Sequence, residues 1–386
     1  MRKRSLVAAA LSLLLACGGL GCSASAADPP PATTSTPAAA LPAGASATSS
    51  AGAPASASLT ATSAAASPTS SAAARVTVPA GTADARALAD KPPRPASGKG
   101  AGLVGPVDAA LDAEWITRLA TAEIVELSPN KGGGSVSLKA KLSDGKKAAI
   151  KLQQSGHPTD PRAEIAAYHL DRLLGFGRTA VVVGRSFAVA DLRAALVSGG
   201  ADAAFLERFD RVLIAPEGRI AAALVAWHTA PLTPEEAAPA WASALESKEA
   251  VTGDALSRLA EWSDLTVFDF LVDNPDRLSG GNVLRLDKGG PLVFLDQGAA
   301  FGKNRLAQKL TLKDRLDKVC RFRKDTLSAL TGKGESLGEQ LRKSLSADPL
   351  APVLDAAQLA GVDDRAKLLA AHVRACKSRL GAAALL

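Results

Sequence analysis

The chain has 386 residues and a formal net charge of +7, and three of its basic residues are Arg2, Lys3 and Arg4. So mild a surplus over this length does not indicate nucleic acid as a partner. An aromatic content of 4% also argues against stacking on bases.

The N-terminal residues predict an exported protein. Residues 2–4 form a positive n-region, and the apolar run 6–16 has the length of a signal-peptide core rather than of a membrane span. This run leads into Leu-Leu-Ala-Cys17, which looks like a bacterial lipobox, and Cys22 follows a poorer version of it. We therefore expect a lipoprotein-type signal peptide over residues 1–22 and a lipid anchor in the membrane of the bacterial cell envelope. Cleavage at the Ala-Ser-Ala site 24–26 would instead give a secreted or periplasmic protein.

Domain organisation follows from a change in composition near residue 100. Residues 23–104 are almost wholly Ala, Ser, Thr, Pro and Gly, so they offer little to bury and predict a disordered linker. Residues 105–386 predict one globular domain. Its strand-rich N-lobe would cover about 105–228 and its helical C-lobe about 229–386.

A β-hairpin is the first predicted element of this domain. Residues 136–142 alternate apolar and polar side chains, Asp144-Gly145 is a turn signal, and residues 148–152 form the return strand. The alternation predicts strands with one buried face.

A helix follows, with Asp160 as its cap, Pro161 at its first position and Gly175 at its end. Further strands are predicted at 181–183 and 220–227, and helices dominate beyond residue 230. This order predicts an α+β fold of two lobes with a cleft between them.

Lys151 and Ala149 lie on the same face of the return strand, because strand side chains alternate. A small residue at 149 leaves room for a nucleotide base, and the lysine ammonium could reach phosphate oxygens. Glu164, in the first turn of the predicted helix, is the candidate partner of this lysine. The ordinary alternatives are a solvated surface lysine and a carboxylate favoured by the helix dipole.

The loop 131–135 reads Lys-Gly-Gly-Gly-Ser and precedes the hairpin. Glycines let a backbone approach phosphates closely and point N–H groups at them, so Gly133 and Gly134 are candidate binding residues. A plain turn is the alternative. The loop has neither the Gly-Lys-Ser/Thr of a Walker A motif nor the GxGxxG spacing of ordinary protein kinases.

The candidate site with the most specific pattern lies within residues 267–302. Asp276 follows a long apolar helix, and Asp296 ends a short strand. Phosphoryl transfer needs two such acids, one to orient the attacking hydroxyl and one to hold a divalent metal on the phosphates. Asn282 is a candidate second metal ligand, although it lies six residues after Asp276 rather than five as in ordinary kinases. A Ser-Gly-Gly-Asn turn is the alternative.

These motifs resemble the four-jointed and Golgi casein kinase family of secreted kinases, and more distantly HipA-type and phosphatidylinositol kinases. The resemblance is carried by PRAEIAAYHLDRLLGF at 161–176 and by residues 264–302. It implies a protein-kinase-like fold that uses ATP with Mg²⁺ or Mn²⁺. It further implies transfer of the γ-phosphoryl group to a hydroxyl of a protein Ser/Thr or of a glycan.

The same resemblance implies roles for individual residues. Lys151 acts in catalysis and, with Glu164, in binding the nucleotide. Asp276 is the catalytic base that accepts or orients the substrate hydroxyl. The implied metal ligands are Asp296, Asn282 and Glu164.

Three neighbouring residues are expected to play smaller parts. Asn274 would shape the loop around the base, and Arg277 would fix it by ion pairing. Gln297 stands where the family usually has Asn in an Asp-Asn-Gly motif. We expect no direct effect of Gln297 on metal ligation, because the middle residue of the motif points elsewhere.

Cys320 and Cys376 are the two cysteines of the predicted domain. In an exported chain such a pair predicts a disulfide, and two buried thiols are the alternative. The four histidines show no metal-ligand spacing, so no zinc site is predicted. The basic segment 303–324 could attract an acidic peptide or anionic glycan, or could be a solvated helix face.

Two other functions remain open. A pseudokinase would bind a nucleotide or partner without turnover, which the displaced Asn282 favours. A scaffold or adhesion lipoprotein would use the long linker alone. The second alternative gives no reason for a lysine and three acids to occur together in kinase order, namely Lys151, Glu164, Asp276 and Asp296.

Overall fold

The structure is a computed structural model that describes residues 108–386, apart from 158, 236–239, 278–280, 288, 303–305 and 331–333. The predicted signal peptide, its cysteines Cys17 and Cys22, and the linker 23–104 lie outside the described residues. The same holds for the first part of the predicted basic segment.

The N-terminal part is built on a five-stranded antiparallel sheet with the strand order β1-β2-β3-β5-β4. Both strands of the predicted hairpin are present as β2 and β3. The elements are α1 (Ala109–Thr121), β1 (Ile124–Pro129), β2 (Ser137–Leu142), β3 (Lys147–Leu152), α2 (Pro161–Leu174), β4 (Val182–Ala188), α3 (Val189–Ser198), α4 (Ala203–Val212) and β5 (Arg219–Ala226).

The C-terminal part is mainly helical and carries a small antiparallel sheet with the strand order β6-β7-β8. Among the described residues, no helix is both long and apolar enough to cross a bilayer. The elements are β6 (Leu232–Pro234), α5 (Gly253–Val272), β7 (Val283–Leu286), β8 (Leu292–Phe294), α6 (Leu306–Asp317), α7 (Lys324–Leu330), α8 (Leu337–Leu345) and α9 (Ala356–Leu380).

Helix α2 forms where its local signals predict it. The Asp160 side chain accepts a hydrogen bond from the Arg162 N–H at 2.9 Å, Pro161 occupies the first turn, and Gly175 ends the helix with φ 71°. Glycine suits this last position because it adopts the left-handed conformation without a Cβ penalty. The helix is buried on most sides, so its orientation is fixed by packing.

A buried ion cluster ties α2 to α1, which lies outside the predicted elements. Arg172 is 1% exposed, and its Nε lies 2.6 Å from Asp112 Oδ2 on α1. Its guanidinium also contacts Asp171 and donates to the Thr179 carbonyl at 3.1 Å. Because a buried charge is expensive without partners, the cluster opposes any displacement of α2.

The last helix, α9, reaches both ends of the segment that carries the candidate acids. The Arg365 Nε donates to the Leu271 carbonyl at 2.8 Å, and the Gln358 side chain donates to the Phe301 carbonyl at 3.0 Å. Farther along α9, Cys376 forms a disulfide with Cys320, as the sequence predicts. His372 lies beside this pair, but bonded sulfurs cannot serve as thiolate ligands to a metal.

The buried imidazole of His169 makes stability depend on pH. It is 1% exposed on α2, its Nδ1 lies 2.7 Å from Ser344 Oγ on α8, and burial lowers its pKa to about 3. In the unfolded chain the pKa is about 6.5, so that state binds more protons as the pH falls. The stabilising contribution of neutral His169 is therefore present above pH 6.5 and is lost progressively towards pH 3.

We expect His169 alone to reduce the free energy of unfolding by about 2 kcal/mol between pH 7 and pH 5. Urea unfolding at both pH values measures this loss. A His169→Gln variant, which keeps a polar group near Ser344, should lose correspondingly less over the same interval. Equal pH dependence of variant and wild type would contradict the assignment.

Candidate active site

A cavity of about 860 Å³ lies between the five-stranded sheet and the helical part. Its volume suits a nucleotide-sized ligand. All the residues that the sequence singles out as site candidates line it, namely Gly133, Gly134, Ala149, Lys151, Glu164, Asp276, Asn282 and Asp296.

Lys151 joins two carboxylates that come from different parts of the chain. Its Nζ lies 2.5 Å from Glu164 Oε1 and 2.7 Å from Asp296 Oδ1. Glu164 is nearly buried, whereas the Asp296 side chain is 46% exposed to the cavity. The strand lysine, the helix glutamate and the strand-end aspartate therefore meet around one point.

The charges of this cluster are mutually dependent. Burial by itself would lower the pKa of Lys151, but Glu164 and Asp296 outweigh burial and raise it. Burial raises the pKa of Glu164, and Lys151 offsets this only in part. For Asp296 burial again acts to raise the pKa, but the ammonium dominates and holds it below its usual value. At neutral pH the lysine is therefore cationic and Asp296 anionic.

Backbone geometry and packing hold Asp296 in place. Its φ is 55°, in the left-handed region, where aspartate is one of the better tolerated residues. On the chain just before it, Phe294 packs against Phe268 and Phe176, with ring centroids 5.1 and 6.0 Å apart. These rings join β8, α5 and the end of α2, so an apolar cluster supports the ion cluster.

The loop around Asp276 is fixed by its neighbours, as predicted. Asn274, which is fully buried, accepts a hydrogen bond from the Asp276 N–H at 3.0 Å. The guanidinium of Arg277 pairs with Asp269 on α5, with its Nη2 3.0 Å from Oδ1. The Asn282 side chain donates to the Asp276 carbonyl at 2.9 Å. This bond joins Asp276 and Asn282 at the edge of the cavity, which both residues line.

The glycine loop is held close to the opposite wall of the cavity. A Cβ added to Gly134 would lie 2.7 Å from His157 Nε2, so only glycine fits there without movement. The Gly134 carbonyl accepts a hydrogen bond from Arg208 on α4. His157 also contacts Thr159, whose following residue donates its N–H to the Gly298 carbonyl at 2.9 Å. His157, Thr159 and Asp160 thus connect the glycine loop to the turn after Asp296.

The donor set at Lys151 fits a divalent metal bound with a phosphate group. Oxygens of Glu164 and Asp296 already converge on one cationic atom, and Mg²⁺ and Mn²⁺ prefer oxygen ligands. Asn282 lines the same cavity and could add a carbonyl oxygen. These ligand roles remain predictions.

Sequence reasoning missed the roles of two residues of the site. Gln297 is 2% exposed, and its side chain contacts both the Asp276 loop and β8. A polar residue between an acid and a glycine is the one hint it gives. His157 lines the cavity beside the glycine loop, and a lone histidine in a loop gives no hint at all.

The fold defined by this sheet, helix α2 and the helical part is similar to that of a solved kinase structure. The crystal structure described as the Golgi casein kinase with Mn/ADP bound matches with a TM-score of 0.57 at 20% identity. The match covers 72% of this chain and 78% of that chain. The predicted fold class, an α+β two-lobed protein-kinase-like fold, is confirmed.

Sequence comparison extends this to a particular group. The family model described as Golgi casein kinase, C-terminal, Fam20 matches residues 236–384. The extracellular serine/threonine protein kinase FAM20C of Homo sapiens is 32% identical over 139 residues, 35% of this chain and 24% of that protein. The glycosaminoglycan xylosylkinase of Danio rerio is 29% identical over 252 residues, 57% of this chain and 61% of that protein. The chain therefore resembles the Fam20 secreted kinases, and it spans less than two thirds of the length of either relative.

Removing the lysine tests whether the two carboxylates form a metal site. Lys151→Met leaves Glu164 and Asp296 without their cation, which should destabilise the protein by about 3 kcal/mol. Because the ammonium no longer competes, we expect Mn²⁺ to raise the melting temperature of this variant more than that of wild type.

Lys147→Met, an exposed position on the same strand, is the matched control and should respond to Mn²⁺ like wild type. Thermal unfolding with and without Mn²⁺ measures both effects. An equal Mn²⁺ response in Lys151→Met and wild type would argue against metal binding by this pair.

Proposed function

We propose that this chain is an ATP-dependent kinase that transfers the γ-phosphoryl group to a hydroxyl of a protein Ser/Thr or of a glycan. The observation that carries the proposal is the meeting of Lys151, Glu164 and Asp296 in the cavity that Asp276 also lines. The kinase fold and the two kinase relatives support it.

The nucleotide would lie along the sheet side of the cavity. Ala149 leaves space for the base, and the N–H groups of Gly133 and Gly134 approach the phosphates. Lys151 would bind phosphate oxygens while Glu164 holds its ammonium in position. Because Glu164 and Asp296 keep Lys151 protonated, its positive charge is available to bind the negatively charged phosphates of the nucleotide.

The acidic residues of the cavity would serve two roles, metal binding and proton removal from the acceptor. Asp296, with Glu164 and Asn282, would hold Mg²⁺ or Mn²⁺, which neutralises charge on the phosphates when bound. Asp276 would orient the acceptor hydroxyl and take its proton. Because Asn274 and Arg277 fix the loop, the base is positioned before the acceptor arrives.

Two acceptor classes fit a base of this kind, since a serine and a sugar both present an alcohol. The human relative is described as a serine/threonine protein kinase and the Danio rerio relative as a glycosaminoglycan xylosylkinase. Dephosphorylated casein and a xyloside are therefore the first acceptors to assay. Nucleotide binding without transfer to either, or to a wider panel, would favour the pseudokinase.

The setting of the reaction is proposed to be outside the cytoplasm. The signal-like residues 1–22 support export, and one relative is described as extracellular. We further propose that acylation at Cys17 or Cys22 anchors the chain in the cell-envelope membrane, with the linker 23–104 joining the anchor to the kinase domain 105–386.

Substituting the two aspartates should separate transfer from binding. We expect Asp276→Asn to lower kcat about 10²- to 10⁴-fold while nucleotide affinity stays within about threefold, because the base acts on the acceptor. Asp296→Ala should weaken metal-dependent nucleotide binding by about tenfold or more. Labelled-phosphate transfer and calorimetry with ATP and Mn²⁺ measure these effects.

Asp364→Asn, at an exposed position on α9, serves as the matched control and should behave like wild type. If Asp276→Asn retained full transfer, Asp276 would not be the base. If wild type bound no nucleotide with either metal, the kinase proposal itself would fail.

The anchor is tested by metabolic labelling with a radioactive fatty acid. We expect one of the single variants Cys17→Ser and Cys22→Ser to lose the label, because a lipobox signal presents one cysteine for acylation. The labelled protein should fractionate with membranes. An unlabelled wild-type protein in the soluble envelope fraction would instead support secretion by ordinary cleavage.

A further inference from the structure

The side chain of Gln297 lies between the two segments that carry the candidate acids. It is 2% exposed. Its Oε1 accepts hydrogen bonds from Asn274 Nδ2 at 2.8 Å and from Arg277 Nη2 at 3.1 Å. Its Nε2 donates to the carbonyls of Phe294 at 2.9 Å and Leu295 at 3.0 Å.

Both halves of the amide are therefore in use, and each half faces a different segment. The oxygen binds the loop that carries Asp276, and the nitrogen binds the end of the strand that leads to Asp296. An amide supplies two acceptor sites and two donors, which are the four bonds made here. A glutamate would lack the donors, and an asparagine is one methylene shorter than the gap.

The backbone of the same residue makes a third connection. The Gln297 N–H donates to Glu164 Oε1 at 2.9 Å, the oxygen that also receives Lys151 Nζ. Residue 297 thus contacts the base-bearing loop, the metal-side strand and the α2 glutamate. A side-chain substitution removes the first two sets of contacts and leaves the backbone bond.

We infer that Gln297 is a positioning residue that sets the separation between Asp276 and Asp296. This inference rests on the proposed kinase function. In-line transfer requires the acceptor hydroxyl and the metal-bound phosphate at a fixed distance, and small misplacement of a reacting group lowers the rate steeply. All four hydrogen bonds of the Gln297 amide go to protein groups, so in this role it acts through Asn274 and Arg277.

The test replaces the amide and separates turnover from binding. Gln297→Met keeps the length of the side chain but has no hydrogen-bonding amide. We expect kcat to fall about 10- to 100-fold, because the Asp276 loop loses two of its hydrogen bonds. The Kd for ATP with Mn²⁺ should change less than about threefold, because Lys151, Glu164 and the 297 N–H remain. The assay uses dephosphorylated casein or a xyloside, whichever wild type phosphorylates.

A purely structural role would not give this division between kcat and Kd. Val373→Ala, at a buried position on α9, is the control for lost stability, and its kcat per folded molecule should equal that of wild type. Asn274→Ala also removes the hydrogen bond from the Asp276 N–H, so it should lower kcat at least as much as Gln297→Met. The double variant should lose less than the product of the two single effects, since both variants remove the contact between Asn274 and Gln297.

The measurements distinguish failure of the inference about Gln297 from failure of the proposed kinase function. If wild type transfers phosphate but Gln297→Met has a normal kcat, or if the double variant loses the product of the two single effects, the inference is overturned and the kinase stands. If Gln297→Met does not fold, Gln297→Glu carries the same test with the same expected division, because it keeps the length of the side chain and lacks the two donor bonds. If wild type binds no nucleotide, both the proposed function and the inference that rests on it are rejected.

Discussion

One carboxylate oxygen, Oε1 of Glu164, receives both the Lys151 ammonium at 2.5 Å and the Gln297 N–H at 2.9 Å. It therefore joins strand β3, helix α2 and the turn after β8, which come from distant parts of the sequence. A nearly buried carboxylate is stable only when charge and hydrogen bonds compensate for lost hydration. The two parts of the molecule must both be in place before this oxygen is satisfied.

Much of the surrounding structure serves to keep that oxygen where it is. The Asp160 cap and Gly175 set the length of α2, and Arg172 fastens α2 to α1 by a buried ion pair. On the other side, the rings of Phe268 and Phe294 hold β8 against α5. Rigid support of this kind lets a few polar groups keep a fixed geometry, which phosphoryl transfer depends on.

The parts of the fold that the sequence predicts are those governed by local physics. Helix α2 is marked by its own cap, proline and terminal glycine, and the β2–β3 hairpin by alternation around Asp144-Gly145. The meeting of Lys151 with Asp296 is different, since they are 145 residues apart and no spacing rule connects them. It is expected here because the motifs resemble a family whose fold brings these positions together.

What could not be predicted is set by tertiary contacts. Gln297 was expected to have no direct effect on metal ligation, and the sequence did not indicate that its buried amide bridges two segments. The Gln297 amide bonds to the Arg277 guanidinium and to carbonyls at the end of β8. These partners are distant or unmarked in the sequence and can be recognised only in the folded chain. Likewise, the docking of α1 depends on Asp112 meeting Arg172, which local periodicity cannot reveal.

The placement of α9 restricts how far the protein can be trimmed. Gln358 and Arg365 hold carbonyl oxygens at Phe301 and Leu271, one beyond and one before the acids, and Cys376 supplies half of the disulfide. A fragment that ends after α8 would keep every recognisable kinase motif but would lose these contacts of α9. Truncation before α9 would therefore remove hydrogen bonds on both sides of the candidate acids together with the disulfide.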